Sequence, residues 1–247
     1  MKKSLLLTLF LGISFTTQAN VNRLDSTQHY PVKSVIKQLN KKGWDKSIVT
    51  LQNPDDFGFE NVSIIYTLPP INSQTLFTRF NGQKLLVRDN STTIKVDGKT
   101  VQHKESKVYS EPGSYDWVGY YNSNNDYKII ITNRTPIPQT ATVGSSQSMY
   151  QSKGTKHGEP NETSTGRWEL KPSTKNSGNN TPTAQLCLYH DTVSITTSIE
   201  DTTAEKQSLC YTIDTQGNVL DETIEIISYS ENNGEPPMVF KTPTSNQ

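Results

Sequence analysis

Hydrophobic positions in this chain follow two periods, and the change falls close to residue 47. Before it, Val32, Val35, Ile36 and Leu39 recur at i, i+3, i+4 and i+7, with Lys33, Lys37, Lys41 and Lys42 between and after them and Gly43 as a stop. The spacing predicts a basic amphipathic helix of about three turns. From Ser47 onward the period is two. Residues 48–51, 62–67, 74–77 and 85–87 are β-branched, aliphatic or aromatic runs bounded by Asn-Pro, Pro-Pro and Asn-Gly breaks. Residues 93–96 and 99–102 flank Asp97-Gly98, a pair that tolerates positive φ and so predicts a type I′ hairpin. Two more strands are expected at 117–121 and 127–132, around an Asn-rich turn.

Residues 139–184 are mostly Ser, Thr, Gly, Asn, Lys and Gln, with one strand-like island at 166–170. That composition predicts long polar loops or partial disorder. Strand patterns return at 185–189, 193–199, 208–213 and 223–229, with Gly217-Asn218 as the turn before the last. Short strands at regular spacing, one helix before them and no βαβ rhythm predict a mainly β chain. The expected architecture is a β-sandwich forming a single domain over 31–247.

The start of the chain changes the picture. Lys2 and Lys3, an apolar stretch over 5–15 and Thr17-Gln18-Ala19 have the pattern of a secretory signal peptide over 1–19, which predicts secretion after periplasmic transit. The stretch is shorter than the roughly 20 residues a spanning helix needs. Residues 20–30 are polar, lack periodicity and end at Pro31, so they read as a flexible arm. In an exported chain Cys187 and Cys210 are expected to form a disulfide worth roughly 3 kcal/mol, tying the 185–189 strand to the 208–213 strand. With 24 basic and 24 acidic side chains the net charge is zero, which argues against a nucleic-acid partner.

No motif points to catalysis. There is no G-x-S-x-G, H-E-x-x-H, P-loop or dinucleotide fingerprint, so neither an enzyme, a cofactor nor a metal site is expected. His29, His103, His157 and His190 are scattered, and the pairing of His190 with Asp191 is of a kind chance supplies. Aromatic clustering does stand out. Tyr109, Tyr115, Trp117, Tyr120, Tyr121 and Tyr127 fall within nineteen residues. Such rings, apolar with a polar tip, suit ligand platforms and the water–lipid boundary, and they equally suit a core.

Residues 110–130, SEPGSYDWVGYYNSNNDYKII, resemble the headgroup-binding region of the actinoporins, a family of small β-sandwich membrane toxins. Ser110, Pro112, Tyr115, Asp116, Tyr121, Asp126, Lys128 and Ile129 carry the match, and residues 32–53 are similar to the family's helix and first strand. The resemblance implies a phosphocholine-type pocket lined by Ser110, Tyr115, Trp117, Tyr120, Tyr121 and Tyr127, with Arg79 nearby. Asn124 and Asn125 stand where that family carries paired tryptophans.

The export signal, the arm and the uncharged β-rich body also resemble the soluble colonisation factors of type IVb pilus systems, such as the CFA/III-associated type. That likeness implies an arm that docks on a minor pilin at a pilus tip. Val21, Leu24 and Tyr30 would be its apolar anchors, with Arg23 among the charges between them. The combined expectation is a non-enzymatic adhesion or colonisation factor that meets host membrane lipid. A pore-forming cytolysin and a lectin for surface glycan are the alternatives.

Overall fold

A computed structural model describes residues 27–173, 181–195, 202–229 and 236–243. The expected signal peptide and the arm residues Val21, Arg23 and Leu24 lie outside the described residues. Tyr30, the last residue of the expected arm, exchanges backbone hydrogen bonds with Ala141 (2.8 and 3.0 Å) and is fully buried.

The helical pattern forms α1, Val32–Lys42, and its apolar stripe buries Val32, Val35 and Ile36. Thirteen strands follow in chain order. They are β1 (Trp44–Leu51), β2 (Val62–Leu68), β3 (Leu76–Phe80), β4 (Gln83–Val96), β5 (Lys99–Ser110), β6 (Trp117–Asn122) and β7 (Tyr127–Arg134). β8 (Ser146–Lys156), β9 (Glu159–Pro172), β10 (Thr183–Ser194), β11 (Thr202–Asp214), β12 (Val219–Ser228) and β13 (Met238–Lys241) complete them.

From β3 to β13 each strand pairs with its successor; β13 then pairs with β1, β1 with β2, and β2 with β4. The last pairing, Val62 opposite Val96 through Thr67 opposite Ser91, closes twelve strands into an antiparallel barrel. β3 occupies the first half of the same edge of β4, outside the ring. A closed barrel therefore replaces the expected sandwich. An unbroken run of long, right-twisted antiparallel strands curls until its outer edges meet, and closure leaves no free edge around the ring.

The expected loops at 139–184 are in large part strands, which is a second correction. β8 and β9 form a hairpin turned at His157 and Gly158, both with positive φ. Toward that turn their inward positions include Ser152, Gly154, Ser164 and Gly166, small residues that leave room for larger inward neighbours: a Cβ on Gly166 would lie 2.3 Å from the Tyr150 ring. Their outward positions include Lys153, Thr163, Thr165 and Arg167. Over this half of the hairpin neither face is hydrophobic, and apolar alternation returns only at Trp168 and Leu170 near the end of β9. The 193–199 strand is not separate, because β10 runs on to Ser194; residues 196–199 lie outside the described set.

The cysteines pair as expected, directly opposite one another on the adjacent strands β10 and β11. The Asp97-Gly98 turn also forms, with φ of 49° and 77°.

Two apolar clusters fill parts of the barrel interior. At one end α1 and Tyr30 pack on Trp168, Leu170, Leu186, Tyr211 and Ile213. Along another wall Val49, Leu51, Val62, Ile224, Ile226 and Phe240 meet. A third, smaller cluster joins Phe80 to Leu85, Tyr109 and Val118, with Phe80 stacked on Tyr109 at 3.9 Å.

Gly43 sets the angle between α1 and β1. Its φ is +67°, and a Cβ there would lie 2.2 Å from the Leu68 carbonyl oxygen. Gly43→Ala is expected to destabilise the fold by roughly 2–5 kcal/mol, from backbone strain plus a clash with main chain. Urea unfolding of the variant against wild type checks this, and a change below about 1 kcal/mol would mean the turn relaxes freely.

Candidate functional site

Strict alternation along paired strands fixes which side chains meet inside the ring. Cross-strand pairs carry one inward row from strand to strand: Tyr66 faces Thr92, Arg88 faces Val108, Val108 faces Tyr120, and Tyr120 faces Ile129. Around the other side, Tyr150 faces Gly166, Gly166 faces His190, and Leu209 is paired with Leu188. The apolar clusters leave part of this interior unfilled. A cavity of about 890 Å³ remains, bounded by α1, the β5–β6 loop and the barrel wall. Its mouth lies between the exposed Lys33 and Lys37 of α1 and the exposed Gly113 of the loop.

Aromatic rings dominate one side of the cavity. Trp117 donates its indole N–H to the Gly119 carbonyl at 2.8 Å, which fixes the ring edge-on to Tyr150 and His190, with centroids 5.4 and 6.0 Å away. Tyr115, at φ +63°, turns its ring toward α1. The Lys37 and Lys41 ammonium groups sit 5.5 and 5.8 Å from its centroid, a cation–π contact across the mouth. Aliphatic side chains, among them Ile36, Leu68, Ile129 and Leu188, and uncharged polar ones, among them Asn90, Thr92 and Gln207, line the remainder.

The charged groups are fewer. Arg134 bonds the carboxylates of Glu111 (3.0 Å) and Asp116 (3.8 Å) and donates to the Trp117 carbonyl, pinning the β5–β6 loop. Arg88 is buried in the wall. Desolvation lowers its pKa to about 10, so it stays a cation at neutral pH. His190 stands between two hydroxyls, its Nδ1 2.8 Å from the Tyr150 oxygen and its Nε2 3.2 Å from that of Thr192. A neutral imidazole has one donor and one acceptor, which matches a hydroxyl on each side. Burial pushes its pKa down to about 4, against a smaller upward pull from Asp191.

Deeper in the barrel Glu162 and Glu205 both have pKa values raised by burial. Hydrogen bonds to Glu162 from Tyr127 and Ser164, and to Glu205 from Gln207, pull the other way. Burial, then Glu162, pushes the Tyr127 phenol well above its ordinary range.

Of the residues picked out from sequence, Ser110, Tyr115, Trp117 and Tyr120 meet in this cavity. Tyr121 points to the opposite face, where its hydroxyl reaches Asp126 and it packs on the Phe80 cluster. Tyr127 faces inward beyond the cavity, its ring 5.9 Å from that of Tyr120. Arg79 is exposed on β3, away from the cavity. Tyr30 is committed to the core under α1. Arg88, Tyr150 and His190 escaped the sequence reading. His190 was legible in one way: it continues the inward series Ala184, Leu186 and Leu188. Among the described residues no group of His, Cys, Asp and Glu is placed to hold a metal. Comparison with known proteins finds no matching family model, curated protein or solved structure.

The buried histidine gives a pH prediction. Its pKa is about 4 in the folded chain and about 6.5 when unfolded, so on acidification the unfolded chain takes the proton first. The stability tied to neutral His190 is complete above pH ~6.5 and is lost as pH falls toward 4. His190→Gln removes that titration. Its melting temperature should therefore fall less between pH 7 and pH 4.5 than the wild type's; equal falls would place the acid sensitivity elsewhere.

Proposed function

We propose that the protein is an exported, non-enzymatic binding protein that takes a lipid-like molecule into its barrel lumen. One observation carries this reading. The aromatic and aliphatic side chains that first drew attention are turned inward around a cavity of about 890 Å³, within the size range of small-molecule sites. The outer face has a different character. On β9 it presents Thr163, Thr165, Arg167, Glu169 and Lys171, where a lipid-facing barrel would need an apolar band. No described helix is long and apolar enough to cross a membrane.

Recognition of a lipid thus moves from a surface platform to an enclosed site. Of the residues expected to bind a headgroup, Tyr121 and Arg79 are the two on the outside. The cytolysin alternative has less support, because α1 would have to withdraw Val32 and Val35, both fully buried, before it could insert. A lectin site would need a dense set of hydrogen-bonding groups, and the surface this wall turns to the cavity is mostly apolar. The adhesion reading, with a minor pilin as partner, rests on residues 20–26, which lie outside the described set.

The test is titration with N-phenyl-1-naphthylamine, a neutral probe that brightens in apolar surroundings. Wild type is expected to bind it at one site per chain. Leu188→Trp fills the lumen and should weaken binding by about tenfold or more, while Tyr121→Ala on the outer face should leave it unchanged. Binding that survives Leu188→Trp and is lost in Tyr121→Ala would put the site on the exterior, and no binding at all would end the lumen reading.

A further inference from the structure

We propose that the polar end of the lumenal ligand is an anion, a carboxylate or phosphate, held by Arg88. The proposal rests on the lumen-binding reading and adds the chemical class of the ligand.

Arg88 is only 6% exposed, and its surroundings hold it without neutralising it. Nη1 donates to the carbonyl oxygens of Asn40 (3.1 Å) and Pro69 (3.2 Å), and Nη2 to the Ser110 hydroxyl (3.4 Å). A guanidinium has five N–H donors. These contacts use three, and Nε–H has no acceptor. The two unused donors are therefore Nε–H and one proton of Nη2. Nε and Nη2 share one edge of the guanidinium plane, the edge that grips a carboxylate or phosphate through two parallel hydrogen bonds. The Ser110 hydroxyl beside it adds a third donor.

Charge balance points the same way. Among the described residues Arg88 has no carboxylate partner, and its three acceptors there are neutral. Four basic side chains line the cavity, Lys33, Lys37, Arg88 and Arg134, against two acidic ones, Glu111 and Asp116, and Arg134 engages both acids. Burying a cation without a counter-charge costs several kcal/mol, and an anion brought in by the ligand would offset much of that. A purely structural role, capping the last turn of α1 through the Asn40 carbonyl, accounts for Nη1 alone. It leaves the buried Nε–H without a partner among the described residues.

The experiment displaces the neutral naphthylamine probe from wild type, Arg88→Lys and Arg88→Gln. The competitors are dodecanoate, dodecyl phosphate and dodecanol, with inorganic phosphate as a fourth arm. In wild type at least one chain anion should compete about tenfold or more better than dodecanol. Arg88→Gln should shrink that advantage to about threefold or less without changing probe affinity. Arg88→Lys, which keeps the charge and loses the fork, should fall between them and keeps the test alive if the glutamine variant does not fold. Weakening of dodecanoate binding by inorganic phosphate would support the anion site with a free ion as its source. Dodecanol competing as well as the anions, or Arg88→Gln weakening all competitors alike, would overturn the proposal while leaving the lumen reading intact. Failure of the probe to bind wild type would instead remove the lumen reading.

Discussion

The pairing of β2 with β4 is the contact on which the rest of this structure depends. Without it the sheet is an open ribbon whose two faces both meet water, and the alternation of side chains has no inside to refer to. With it, every second residue on twelve strands faces a common interior. A ring of that size encloses more space than its own side chains fill. The chain occupies one part with α1 and Tyr30 and another with the aliphatic wall of β1, β2, β12 and β13. The remaining space is the cavity.

That interior is zoned. The α1 end is apolar, the middle carries the rings of Tyr120 and Tyr150 with His190, and the far side carries Glu162, Glu205 and Tyr127. Hydrogen bonds within each zone hold the polar groups in one arrangement: Tyr150 on His190, His190 on Thr192, Thr192 on Ser164. Arg88 differs from the other buried groups left short of a partner, the Tyr30 and Ser152 hydroxyls and the Trp168 indole N–H, in being a fixed charge whose partners are neutral. A buried group left short of partners is a common mark of a site prepared for something else.

Much of the local structure was legible in the sequence. The 3.6-residue period gave α1, Asp97-Gly98 gave the β4–β5 turn, and two cysteines behind an expected export signal gave the disulfide. Closure was not legible, since no local pattern states that residues 62–67 will meet 91–96 across an intervening strand. The β8–β9 hairpin was hidden for a different reason. Over much of its length small inward residues, Ser152, Gly154, Ser164 and Gly166, alternate with Tyr150 and Glu162, which need the space, so apolar alternation is replaced by one of size. The aromatic cluster showed the reverse weakness: the residues were evident, their facing was not. Tyr120 and Tyr121 are neighbours in sequence and lie on opposite sides of the wall.

The disulfide has a bearing on the lumen although it touches none of it. Cys187 and Cys210 point outward on β10 and β11, and the connection between those strands spans 195–201, too long to dictate their alignment as a two-residue turn would. A slip of one residue between them would turn Leu188 and His190, or Leu209 and Tyr211, to the outside. The covalent bond permits one alignment. In this barrel, oxidation selects which side chains line the lumen.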